Sequence, residues 1–396
     1  MPSASHVQFL AWDQFIARHL DDWMHLWRAT GAAPDLSPMW ARGLLHGHGL
    51  DTAELRVAVS WRDGALTLVW PLVFCTQRRL GMTWKKVSAL NNIFCMHGGL
   101  LTAMDLGQAV RLTLRALRED RWDWSWIDVD LIEVGSPLHA AWLHAAEQLD
   151  CDVEHIPKSR SPFIVSPGTL DDFLATKTRN FRSNMRARRR DALTDPRVEI
   201  RHFTRADEVA AYMTLALQIE RQCWKAREGC ALASRDWEAR LYEDLLQRFA
   251  GHDMTRAAVL FIDGVPAAHS MDLRHGDRVY GLKTSFDPAF GAMRPGVMLL
   301  VARLERYFAD GVREFDFLGA DEEYKRQWTR RGREHESLRL YAPTLAARTL
   351  FASTRLRTTW RGAPAAATPL RPVTARSRHA ALGAPLDTDG AETVIG

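Results

Sequence analysis

The sequence predicts a mixed α/β protein of two lobes, each a mostly antiparallel sheet flanked by helices. Three observations predict it. At 396 residues the chain is long for one core and suits two domains of ordinary size plus extras. Two alternating apolar pairs, 55–59 with 66–74 and 257–262 with 267–273, are joined across the turns Asp63-Gly64 and Asp263-Gly264. Residues 279–328 read strand, Gly- and Pro-punctuated loop, helix, strand.

Composition narrows the class. A hydrophobic fraction of 46% with 25% charged residues is that of a soluble globular protein, and a net charge of +4 excludes a general polyelectrolyte. Cys75, Cys95, Cys151, Cys223 and Cys230 are odd in number and lack metal-type spacing, so reduced thiols and no metal are expected. The first residues carry charge where a signal peptide needs an apolar core. The longest apolar run, 66–75, contains Pro71 and is too short to span a bilayer. The expectation is a cytoplasmic protein that does not span a membrane.

In chain order, Phe9, Trp12, Phe15, Ile16, Trp23 and Trp27 recur at helical spacing. The first hairpin follows, then a strand end at Gly98-Gly99-Leu100-Leu101 and a helix over 105–118. Trp122, Trp124 and Trp126 alternate with Asp123 and Ser125 ahead of 127–132, which predicts a strand with a tryptophan face. A helix over 138–149 closes the first lobe, and 157–162 reads as a linker. Thr169 caps a helix with Asp171 and Asp172 in its first turn, leading into the arginine-rich run 176–190. A strand begins at 198, helices follow near 206–222 and 234–250, and then comes the second hairpin. Domains are therefore drawn at 1–157 and 158–342. From 343 the composition turns to Ala, Thr, Pro and Arg, with a short basic helix over 344–360 and disorder expected beyond 364.

The best-supported site is the start of the helix after 287–296. A helix that follows a loop without bulky residues offers free N–H groups and a positive dipole end, which suits phosphate oxygens. Gly296, Val297 and Met298 would supply amides, Gly291 the turn and Arg294 a cation, while Pro295 costs nothing at a first helical position. Arg182, Arg186 and Arg189 or Arg190 share a helix face. That face suits an anionic acceptor, the phosphates of a nucleotide or a tRNA, or else is a solvated basic surface.

The order Arg294-Pro295-Gly296, then Phe315-Asp316-Phe317-Leu318-Gly319, then Tyr324-Lys325-Arg326-Gln327-Trp328 resembles the BioF2-like acetyltransferase domain of the CelD/BcsL cellulose-biosynthesis proteins. That domain is of the GNAT superfamily and is related to the FemABX aminoacyltransferases. The resemblance covers roughly 160–340 well and the N-terminal part in outline. It implies two GNAT-like lobes of the acyl-CoA N-acyltransferase fold, the first degenerate, with acetyl-CoA or another acyl-CoA as donor at the second. The expected function is acyl transfer to an amine or hydroxyl, in polysaccharide or cell-envelope biosynthesis. The acceptor would be a small or sugar-linked molecule in a cleft between the lobes, and cellulose or exopolysaccharide machinery the partner. Alternatives are FemABX-like aminoacyl transfer from tRNA, the one nucleic acid expected, or a non-catalytic scaffold.

The resemblance also places Lys325 near the acyl group, where a cation would stabilise the developing oxyanion, with Tyr324 beside it. Trp224 and Lys225 would wall the acceptor side. His269 and Asp316 are the candidate proton acceptors, each with a purely structural alternative. In place of the further glycines of the acetyltransferase signature this chain has Ala292, Met293 and Arg294.

Overall fold

Both Asp-Gly pairs form the tight turns their chemistry predicts. Asp63 and Asp263 take φ of 52° and 50°, and Gly64 and Gly264 take 80° and 76°, the two left-handed positions of a two-residue hairpin. The computed structural model describes residues 6–360 except 49–51, 80, 91–97, 224–225, 227–228 and 230.

The chain opens with β1 (Gln8–Ala11), α1 (Trp12–Thr30) and α2 (Pro38–His48), then β2 (Leu55–Arg62), β3 (Ala65–Arg79) and β4 (Met82–Ala89). β5 (Leu101–Thr102), α3 (Leu106–Glu119), β6 (Trp126–Glu133), α4 (Pro137–Gln148) and β7 (Asp152–Pro157) follow. The second half runs β8 (Ser161–Val165), α5 (Leu170–Ala175), α6 (Arg179–Thr194), β9 (Val198–Phe203), α7 (Val209–Gln222) and α8 (Asp236–Ala250). β10 (Thr255–Ile262), β11 (Val265–His275), β12 (Arg278–Phe286), α9 (Pro295–Ala309), β13 (Glu314–Asp316) and α10 (Glu323–Trp328) come next. β14 (Gly332–Arg333), β15 (His335–Tyr341) and α11 (Leu345–Trp360) end the described chain.

Two mixed sheets result. The first is ordered β1-β2-β3-β4-β6-β15-β7, with β5 on β3; the second is β14-β8-β13-β12-β11-β10-β9. This is an α/β fold of two mixed sheets flanked by helices. Two expectations need correction. The strand 335–341, drawn into the second lobe, lies between β6 and β7 of the first sheet, antiparallel to both. Without it those two strands would each carry an unpaired edge. The linker is shorter than the expected 157–162: only Lys158-Ser159-Arg160 joins β7 to β8. The predicted tryptophan strand is shorter than expected, since β6 starts at Trp126, though Trp124 and Trp126 are both buried.

The lobes share one apolar core. Trp12, Trp23, Trp27 and Trp40 of the first half pack with Leu241, Leu245 and Phe249 of α8 and with Tyr280 of β12. The close approach depends on two glycines one turn apart in α2. A Cβ at Gly43 would lie 2.7 Å from Leu245 Cδ2, and one at Gly47 2.7 Å from Leu241 Cβ. Among the described residues no helix is long and apolar enough to cross a membrane.

Candidate active site

The site begins with two neighbouring strands that part. β12 and β13 run parallel but pair only from Arg278↔Glu314 to Tyr280↔Asp316. Beyond that, β12 continues to Phe286. A bulge bends it there: Asp272 of β11 faces Gly281 and Met271 faces Lys283, so Leu282 is the extra residue. On the other side the chain turns away through Leu318 and Gly319, with φ of 51° and 59°. A wedge-shaped cleft of about 600 Å³ opens between them, lined by residues that all fall within 223–328. It therefore lies inside the second lobe, where the donor was expected.

The start of α9 forms the mouth of this cleft. Arg294 adopts the left-handed conformation (φ 55°, ψ 54°), which turns its carbonyl along the helix axis. That carbonyl accepts from Val297 N–H at 3.0 Å and Met298 N–H at 3.1 Å. Those two predicted phosphate donors are thus already used, and the Met298 side chain is wholly buried. Pro295 has no N–H, so Gly296 carries the amide left over at the helix start, and its N–H has no protein partner among the described residues. Gly291, Arg294, Gly296 and Val297 all line the cleft.

The charges on the walls divide sharply. Lys283 Nζ lies 2.7 Å from Glu238 Oε1, Arg303 grips Asp272 through two bonds of 2.9 and 2.5 Å, and Lys325 Nζ lies 3.0 Å from Glu322. Tyr307 O–H donates to the same Asp272 at 2.6 Å. Burial pushes the Asp272 carboxyl up, against the pull of Arg303. Among the described cations lining the cleft, Arg294 has no acidic partner. Glu238, which also lines the cleft, is buried; its Oε2 accepts no hydrogen bond and is ion-paired with Arg235 Nη1 at 3.5 Å.

The predicted chemistry-bearing residues fall unevenly. Lys325 lines the cleft and is buried, but its ammonium donates to the carbonyls of Leu318 (2.8 Å) and Ala320 (2.9 Å) besides pairing with Glu322. Its three donors are spent on holding the turn that parts the strands, so the expected oxyanion contact would have to displace one of them. Tyr324 stands at the rim, edge-on to Phe317 at 6.3 Å.

Asp316 is wholly buried and does not reach the cleft. It accepts from Leu318 N–H (2.8 Å), Ser161 O–H (3.1 Å) and Arg333 (2.9 Å), so it fixes the turn. Burial raises its carboxyl to about 6, although these donors pull it down. A carboxyl raised on folding contributes stability below its ordinary value of 3.8 that is lost as pH rises through about 6. Urea midpoints measured across this window should fall with pH for the parent chain and stay flatter for Asp316→Asn. An equal slope in both would remove the assignment.

His269 is also wholly buried, and both ring nitrogens are engaged: Nδ1 with Tyr212 Oη at 3.0 Å, Nε2 with Glu220 Oε1 at 3.2 Å. Ser285 O–H donates to the same Glu220 oxygen at 2.5 Å and does line the cleft. Burial alone would raise the Glu220 carboxyl, but His269, Lys283 and Ser285 together hold it at about 2. His269 thus stands behind the wall, and Glu220 and Ser285 carry its influence to the surface.

Arg182 and Arg186 lie outside the cleft. Arg182 donates to the Ala175 carbonyl at 3.4 Å and Arg186 pairs with Asp171 at 3.5 Å. Arg189 forks onto Glu305 of α9, while the partners of Arg182 and Arg186 are on α5, so these three arginines fasten α6 to its two neighbouring helices. Arg188 donates to the Met293 carbonyl at 3.3 Å and steadies the loop before α9. Trp224 and Lys225 lie outside the described residues.

Sequence reasoning missed Glu238, Asp272, Arg303 and Ser285. A signal existed for Asp272, a carboxylate inside an otherwise apolar strand, and for Glu220, on the buried face of α7.

A strand that parts from its parallel neighbour above a glycine-led helix start is the arrangement of a GNAT-type acetyltransferase domain. Residues 179–326 match the acetyltransferase (GNAT) domain family, so the chain carries such a domain. The fold is shared with the crystal structure of FemX (TM-score 0.58, 13% identity, 84% of this chain and 98% of that one). It is shared too with a conserved protein of unknown function from Bacteroides thetaiotaomicron VPI-5482 (TM-score 0.52, 12% identity, 81% and 97%). A comparison with curated proteins finds no match.

Proposed function

We propose that the protein transfers an acyl group from an acyl-CoA to a primary amine, in one step without a covalent enzyme intermediate. The observation that carries this is the wedge between β12 and β13, with an unpartnered amide at Gly296 and an unpaired guanidinium at Arg294 at its mouth. The diphosphate of CoA would rest there, since a helix start and a nearby arginine both favour phosphate oxygens. The pantetheine arm carries amides that can pair with the open edge of β12, which brings the thioester down the wedge.

The acceptor reading rests on Glu238. A buried carboxylate oxygen without a donor favours a ligand that supplies one, and an amine does so with charge. The bound ammonium first gives one proton to solvent; the neutral nitrogen then attacks the thioester carbon, the C–N bond forms, the C–S bond breaks, and the second proton lost by nitrogen passes to the sulfur, so that CoA leaves as its thiol. A sugar-linked amine in polysaccharide or cell-envelope biosynthesis fits this chemistry.

Calorimetric titration with acetyl-CoA tests the donor, and thiol release across a panel of amines tests the acceptor. Binding of acetyl-CoA supports the proposal. Dependence on charged tRNA would replace it by aminoacyl transfer, and response to neither would leave a scaffold. With a responsive amine in hand, Glu238→Gln should raise the acceptor KM about tenfold or more, the cost of one charge-assisted hydrogen bond. Acetyl-CoA affinity should stay unchanged; an unaltered KM would exclude Glu238 as the amine's partner.

A further inference from the structure

We propose that the first lobe carries a divalent-metal site of zinc type, formed by His139, His155 and Glu336. It lies on other elements than the cleft and does not rest on the transferase reading. His139 sits in the first turn of α4, His155 on β7 and Glu336 on β15. Glu336 lies opposite Pro157 and His155 opposite Leu338, so the two side chains are diagonal neighbours on one sheet face. His139 comes down onto that face from the helix above.

Three ligand-type atoms converge there, all within 4.8 Å of one another. His139 Nε2 lies 2.5 Å and His155 Nδ1 2.9 Å from the same oxygen, Glu336 Oε1. Two imidazoles and one carboxylate are the donor set that suits zinc, at bond lengths near 2.0–2.2 Å. The protons now shared between the rings and the carboxylate occupy the place a metal would take. Binding therefore exchanges N–H···O contacts for two N–metal bonds and one O–metal bond, each neutral imidazole carrying its proton on the ring nitrogen turned away from the ion.

The accessibility is also suited. His139 and Glu336 are buried while His155 is exposed, so an ion can enter from that side and keep water as a fourth ligand. One contact opposes it: the Gly135 N–H lies 3.4 Å from His139 Nδ1 and favours the proton on Nε2. That bond is long and yields readily, and it points to moderate affinity. The consequence is structural. A metal held by α4, β7 and β15 would pin the strand that crosses back from the second lobe into the first sheet.

The test uses the full chain, stripped of metal by a chelator and free of any histidine tag, titrated calorimetrically with zinc sulfate. One equivalent should bind. His155→Ala, at an exposed position, and Glu336→Gln should each weaken binding by at least about tenfold. Neither should alter the far-ultraviolet circular dichroism spectrum, which reports that the fold is intact. Absence of stoichiometric binding, or affinity in both variants as high as in the parent chain, would overturn the site.

Discussion

Gly296→Phe should abolish acetyl-CoA binding while the protein stays folded. A Cβ built on Gly296 lies 3.4 Å from Phe286 Cδ1, ordinary contact, so the backbone tolerates a side chain. Beyond Cβ, an aromatic ring enters the wedge and covers the amide that would meet the diphosphate. Arg294→Ala should do less, about a tenfold loss, because it removes one charge-assisted contact and leaves the space open. Calorimetry on both variants, with circular dichroism melts as the folding control, gives the ranking. Retained affinity in Gly296→Phe would move the donor elsewhere and remove the reading of the helix start.

Arg303→Met should be the most destabilising single change at the cleft. Arg303 and Asp272 are almost wholly buried and bonded through two contacts, with Tyr307 as third member. Removing the cation leaves a buried carboxylate without its charge partner, which costs about 3–5 kcal/mol. Urea unfolding would read this as a lowered midpoint with an unchanged slope. The double variant Asp272→Asn with Arg303→Met removes both charges and should recover much of the loss. If the double variant were no better than the single, the penalty would come from lost packing of the arginine stem rather than from the stranded charge.

Much of this was legible in the chain itself. The two Asp-Gly hairpins, the Thr169 cap and the helix that starts at Pro295 follow from local rules: φ preferences, side-chain capping and the missing proline N–H act within a few residues. Thr169 indeed accepts from Asp172 N–H at 3.1 Å, and Asp172 reaches back to the Thr169 N–H. The same locality located the mouth of the cleft, because a loop and a helix start are adjacent in sequence.

What the sequence could not settle was where long-range partners sit. Nothing in the 335–341 segment says that it closes the first sheet; that is decided by the two edges β6 and β7 leave open. Lys325 and Asp316 were chosen as chemical groups, yet the fold spends them on the turn that parts β12 from β13. Arg186 and Arg189 lie on one helix face, and only the docking of α6 against α5 and α9 reveals that the carboxylates of Asp171 and Glu305 claim them. The triad of His139, His155 and Glu336 spans 197 residues and has no local spacing to betray it. Backbone conformation is set by neighbours along the chain, whereas the occupation of a charged side chain is set by what packing brings within 3 or 4 Å. The sequence by itself therefore determined the class of protein and the mouth of its site, and the tertiary structure alone decided which charges remain free to work there.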